Sequence, residues 1–79
     1  MPISVGQCRA ARALLGWTIA ELAEAAGVST MTVNRFESGT AINAASSTAL
    51  ERAILDAGVI LIAAGDHASV GGEGARLNQ

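Results

Sequence analysis

The stretch Thr18 to Gly39, TIAELAEAAGVSTMTVNRFESG, consists of two short amphipathic helical patterns hinged at a glycine. Thr18 is followed three residues later by Glu21, a pairing in which each side chain satisfies a backbone donor of the other, so a helix is predicted to start there. Trp17 and Leu22 flank this cap as a hydrophobic staple would. Ile19, Leu22, Ala23 and Ala26 then recur at helical spacing as one apolar face. Gly27 ends the pattern, because glycine takes the left-handed conformation that closes a helix at little cost. Ser29 caps a second helix, with Val33 and Phe36 inward and Thr30, Met31, Asn34 and Arg35 on the other side, and Gly39 ends it.

Two helices joined by a turn of about three residues containing Gly, the second with an uncovered polar face, is an arrangement that inserts into the DNA major groove. Ala23 adds to this reading: a small side chain four residues before the turn glycine lets the helices approach closely. On spacing alone, an ordinary helical hairpin in a small bundle fits as well.

Outward from this stretch, the whole sequence of 79 residues bounds the problem to one small domain with a modest core, for which oligomerisation is a natural supplement. Its apolar content is mostly Ala, with one Trp, one Phe and no Tyr, which suits closely packed short helices. A single cysteine, Cys8, excludes an internal disulfide or a cysteine-based zinc finger within one chain, and on an apolar helix face it reads as a small buried hydrophobe. No stretch approaches the roughly 20 apolar residues of a membrane span, and no charged region precedes an apolar one as in a signal peptide. The expectation is a soluble cytoplasmic protein. A net charge of −2, with five Arg, no Lys and seven acids, runs against the basic footprint of nucleic-acid binding. Arg9 and Arg35 nevertheless lie in or near the two-helix stretch, while Asp56, Asp66 and Glu73 fall in the C-terminal third.

Upstream, Ser4 and Gln7 form another capping box, with Ile3 and Cys8 as its staple, and predict a helix over Val5 to Leu15 that Gly16 stops. Its inward face is Cys8, Ala11, Leu15 and Leu14. Arg12 falls beside that stripe, and a half-buried Arg needs a partner.

From Gln7 to Gly39, and more loosely to Gly58, the chain resembles the DNA-binding domain of the lambda-repressor and Cro type, the XRE-type helix-turn-helix. The residues that carry the likeness are LAEAAGVS, FESG, and Arg12 with Glu37, which stand where the family pairs a helix-one Arg with a Glu at the end of helix three. The resemblance implies a mainly α fold, a four-to-five-helix lambda-repressor-like domain, and supplies Glu37 as the ion-pair partner of Arg12; a short C-terminal β-strand or hairpin, read below from the residues themselves, is expected to follow it. It also implies that Ser29 to Glu37 is the reading helix, with Thr30, Met31, Thr32, Asn34 and Arg35 toward the groove. Arg35 can bind guanine O6 and N7 bidentately; Met31 and the Thr methyls suit a thymine methyl, and Asn34 an adenine or a phosphate. Thr18 and Ser29, at helix N-termini, are placed for phosphate, Arg9 faces solvent or phosphate, and Thr40 is expected to contact DNA as well. Two departures limit the likeness. Ile19 stands where the family often has Gln, and the loop Thr40 to Asn43, TAIN, carries no Lys or Arg, so one subunit should bind weakly.

Downstream, Ser46, Ser47 or Thr48 is expected to cap a fourth helix, Thr48 forming a box with Glu51, with Leu50, Ala53, Ile54 and Ala57 as its core face and Gly58 as its end. Val59 to Ala64, VILIAA, then reads as a strand buried on both sides. A lone strand leaves its ladder groups unpaired. Ala75 to Leu77 can pair with it across a Gly-rich loop, or the same strand of a second subunit can pair with it about a two-fold axis; the second option is favoured. Residues 3–58 are thus expected to form the helix-turn-helix domain and 59–79 a C-terminal extension, with Val59, Ile60, Leu61 and Ile62 joining a homodimer. His67 has no other His or Cys near it and is expected to be solvated, and no metal or cofactor is expected.

The expected function is a sequence-specific transcriptional regulator, a homodimeric repressor or autoregulator on an inverted-repeat DNA operator that it blocks by occlusion. The competing expectation is a protein-interaction module, such as an antitoxin-like partner whose DNA binding is secondary. No phosphate loop, nucleophile with a base, or metal constellation points to an enzyme.

Overall fold

The computed structural model describes residues 3–62 and 74–77 of the chain. Four helices come first, α1 Val5–Leu15, α2 Ile19–Ala26, α3 Thr30–Glu37 and α4 Ala44–Asp56, followed by β1 Val59–Ile62 and β2 Gly74–Leu77. Both N-terminal capping boxes are formed. Gln7 N donates to Ser4 Oγ (3.1 Å) while Ser4 N donates to Gln7 Oε1 (3.0 Å), and Glu21 N donates to Thr18 Oγ1 (3.1 Å) while Thr18 N donates to Glu21 Oε1 (2.9 Å). Gly27 closes α2 at φ 73°, a left-handed turn that lets the Val28 amide reach back to the Ala23 carbonyl at 3.0 Å.

The four helices converge on a core whose largest fully buried side chains are Leu22, Leu50, Ile54 and Val33, with Cys8 and Ala11 from α1. Burial of each large aliphatic side chain stabilises the fold by about 1.5–3 kcal/mol. Trp17, Ile19 and Phe36 pack against this core from its rim. Two expected inward positions differ. Leu14 is 42% exposed, and Gln7, at the other end of the same helix edge, is buried instead. At the end of α4, Ala57 is exposed because it has become the C-cap.

The start of α4 also differs from expectation. Asn43, and not Ser46, Ser47 or Thr48, is the N-cap: its Oδ1 accepts from Ser46 N at 2.7 Å. Asn caps as well as Ser does, and beginning at Asn43 places Ala44 and Ala45, strong helix formers, inside the helix. Thr48 therefore lies within α4, and no capping box with Glu51 can form at that position. At the other boundary α3 stops at Glu37, with Ser38 as its cap and Gly39 (φ 93°) just beyond.

The two strands form an antiparallel pair with Val59 opposite Leu77, Ile60 opposite Arg76, Leu61 opposite Ala75 and Ile62 opposite Gly74. Of the two pairings that the sequence leaves open, the one within the chain is present. β1 lies against α1 and α4, and β2 against α1. Val59 is buried in the core, with Leu61 packed on it, whereas Ile60, on the alternate face, is half-buried. Among its described side chains the strand is thus fully buried only at Val59, with Ile60 and Leu61 half-buried on its two faces. The last two residues of VILIAA, together with His67 and most of the Gly-rich segment, lie outside the described residues.

Candidate nucleic-acid interface

The candidate surface is built by α2 and α3, which meet through the buried Leu22, Ala23 and Val33. With Val33 turned inward, helical periodicity puts Thr30, Met31, Asn34 and Arg35 on the outside, and all four are exposed. Thr32 is half-buried at the edge of this face. Met31, at 60%, is the most exposed of the large apolar side chains among the described residues, a cost in water that contact with a thymine methyl would offset. Arg35 has no ion-pair partner among the described residues, so its guanidinium is available for a base or a phosphate.

Two hydroxyls mark the helix N-termini. Ser29 Oγ accepts from Thr32 N (3.1 Å) and lies 2.9 Å from Thr32 Oγ1. One hydroxyl proton serves that contact, which leaves the other free for an anion. At Thr18, the hydroxyl accepts from Glu21 N and keeps its proton to donate, but the Glu21 carboxylate occupies the Thr18 amide. Glu21 suits the positive end of α2 while opposing a phosphate there, so what Thr18 can offer is its hydroxyl alone. Thr40 is exposed just after α3, and Arg9 is exposed on α1, outside the helix pair.

A hollow of about 220 Å³ adjoins this face, lined by Thr32, Arg35, Ala41, Ile42, Asn43 and Ser46. It brings Arg35 beside the N-terminus of α4, whose first amides have no partner within the helix. Asn43 and Ser46 were not among the residues expected at the surface. The signal that would have found them is an Asn directly before a run of good helix formers.

Beneath the face, a buried polar cluster fixes the pose of α3. Arg12 Nε donates to Glu37 Oε2 and Arg12 Nη2 to Glu37 Oε1, each at 2.9 Å, a bidentate pair, while Nη1 donates to the Trp17 carbonyl at 3.2 Å. The Glu37 side chain is only 8% exposed. One guanidinium thereby ties the last residue of α3 to α1 and to the α1–α2 connection, with geometry matched to the carboxylate. Its proton is held more firmly than usual by the hydrogen bond to Glu37, which outweighs the opposing effect of burial. Cys8 completes the cluster by donating from Sγ to Glu37 Oε2 at 3.6 Å. Burial, then the Glu37 charge and that hydrogen bond, push the Cys8 thiol up from 9.0 to about 12, against a smaller opposing pull from Arg12. At neutral pH it is a thiol with no nucleophilic character.

Among the described residues no group of His, Cys, Asp and Glu is placed to hold a metal ion, and no helix is long and apolar enough to cross a membrane. In comparisons with known proteins, a family model described as helix-turn-helix matches residues 9–54, more than half of the chain. Neither the curated proteins nor the solved structures gave a match.

Proposed function

Since the chain belongs to the XRE-type, lambda-repressor-like helix-turn-helix family of DNA-binding regulators, we propose that it binds an inverted-repeat operator as a homodimer and represses transcription by occluding polymerase. The observation that carries the proposal is the outward face of α3: Thr30, Met31, Asn34 and Arg35 are exposed together, with no ion-pair partner for Arg35 among the described residues, on a helix whose other side is locked into the core. In this reading Arg35 reads a guanine, Met31 and the methyls of Thr30 and Thr32 meet a thymine methyl, and Asn34 reaches an adenine or phosphate. The hydroxyls of Thr18, Ser29 and Thr40, with Arg9, hold the backbone.

Two-fold pairing follows from weakness. Arg9 and Arg35 are the cations offered to DNA by each subunit, so the salt dependence per subunit should be shallow, with a slope of about −1 to −2. Two half-sites held together make up the affinity that one lacks. A DNA reader works where the chromosome is, and a cytoplasmic location belongs to the same proposal.

An electrophoretic shift on the promoter of the protein's own operon, at low salt, tests the reading. Arg35→Ala should weaken specific binding by about 1–3 kcal/mol and relax one base position. Unchanged sequence preference in that variant removes Arg35 from the reader role. Absence of any specific shift, together with co-purification of a second protein, would put a protein-interaction module in place of the regulator.

A further inference from the structure

The outer side of α4 carries exposed apolar and charged side chains, the charged ones meeting no ion-pair partner among the described residues. Asp56 is the last residue of the helix, at the negative end of its dipole, and the last turn holds no basic residue to offset it. Arg52 is one turn earlier on the same side. Both are exposed, and neither meets an ion-pair partner among the described residues. Within a helix, an Arg four residues before an Asp is the less favourable order for pairing. Between them in sequence is Leu55, 47% exposed. Alongside runs a groove of about 530 Å³ between α2 and α4, floored by small side chains that include Ala26, Ala49 and Ala53. An apolar projection, a trough of small residues and two opposite charges lie side by side on one patch.

We propose that this patch is the homodimer interface, with a second copy of the chain as its occupant. The inference rests on the dimeric reading above and gives it a location. A two-fold interface must be self-complementary: if residue i meets j, then j meets i. Two α4 helices crossing antiparallel near their C-terminal turns meet that condition. Arg52 of each copy lies against the partner's Asp56, and each Leu55 near the axis enters the alanine groove of the other. Asp56 thereby gains the cation that its place at the helix end calls for, and Leu55 leaves water. Alanines on the groove floor let the two helices approach closely. Thr30, Met31 and Asn34 line no part of this groove, so the reading face stays open. β1 is already paired and packed within its own chain, and the partner needs nothing from it.

The test measures the dimer dissociation constant of the full chain, without DNA, by sedimentation equilibrium. Arg52→Asp and Asp56→Arg each place like charges across the axis and should raise the constant at least about tenfold. An equimolar mixture of the two variants restores opposite charges at both contacts and should recover dimers of near wild-type affinity; so should the double variant Arg52→Asp/Asp56→Arg. Arg52 and Asp56 are both exposed, and an unchanged helical circular dichroism spectrum verifies that each variant, Ile60→Glu included, is folded. Ile60→Glu, on the outward face of β1, should leave the dimer intact. The proposal is overturned if the single charge variants dimerise as the wild type does, if the mixture fails to recover dimers, or if Ile60→Glu alone abolishes them. A wild-type chain that is monomeric at every concentration overturns it together with the dimeric reading. DNA contact through α3 is judged separately by the Arg35→Ala shift assay.

Discussion

Replacing Arg12 by Met removes the guanidinium while keeping a side chain of comparable reach to fill the space. Two charge-assisted hydrogen bonds of 2.9 Å to Glu37 and one of 3.2 Å to the Trp17 carbonyl disappear. The larger effect comes from what is left behind. Glu37, 8% exposed, becomes a carboxylate without its counter-charge, retaining among the described residues the long contact from Cys8. Breaking a buried pair from one side costs about 3–5 kcal/mol; the Arg12 side chain is 25% exposed, which argues for the lower end, about 3 kcal/mol. In a domain of this size each kcal/mol lowers the melting temperature by about 4–8 °C, so a drop on the order of 15 °C is expected in a thermal melt followed by circular dichroism. Removing the stranded charge as well, in Arg12→Met/Glu37→Met, should recover most of the loss, because an apolar pair of similar volume is often as stable as the ion pair it replaces. A melting temperature unchanged to within about 2 °C in the single variant would refute the reasoning, and so would a double variant no more stable than the single.

Two further outcomes follow from the same structure. Because the folded state holds the Cys8 thiol up at about 12 against 9.0, the neutral form is favoured by folding, and its contribution to stability is complete below pH 9 and lost as pH rises toward 12. Chemical denaturation across that range should show a decline of up to about 4 kcal/mol that Cys8→Ala flattens; a decline of the same size in the variant would assign it elsewhere. Asn43→Ala should cost about 1 kcal/mol by removing the α4 cap, whereas Thr48→Ala, inside the helix and exposed, should change stability by less than about 0.5 kcal/mol, and the reverse order in urea denaturation would contradict the observed start of α4.

What the sequence made legible was whatever depends on neighbours in the chain. The boxes at Ser4–Gln7 and Thr18–Glu21, the left-handed Gly27 and the spacing of Leu22, Ala23 and Val33 are local signals, and each element they define is present at the expected place. Legibility failed where several local solutions compete. Asn43, Ser46, Ser47 and Thr48 are all competent caps, and the choice among them rests on how much helix each would add. Leu14 is as apolar as Leu15, but the direction of the α1 stripe relative to the other helices decides which of them is covered. The partner of β1 was beyond reach for a related reason: VILI reads as a strand whoever pairs with it, and the register with Gly74–Leu77 is a long-range fact. On the α3 face, exposure of Thr30, Met31, Asn34 and Arg35 follows from periodicity, whereas the hollow that joins Arg35 to Asn43 and Ser46 depends on where the loop after α3 returns the chain.

The hairpin resting on α1 has a kinetic side. Contacts between α2 and α3 close loops of only a few residues, while those between β2 and α1 join segments nearly sixty residues apart and must wait for a far larger loop to close. Non-local contacts of this kind are slow to form, so the helix pair can assemble before β2 docks, and the docked strand then acts as a late clasp over the first helix. Opening that clasp is a step distinct from unfolding of the helix pair, which leaves the chain able to loosen at its β-strands while α2 and α3 stay in place.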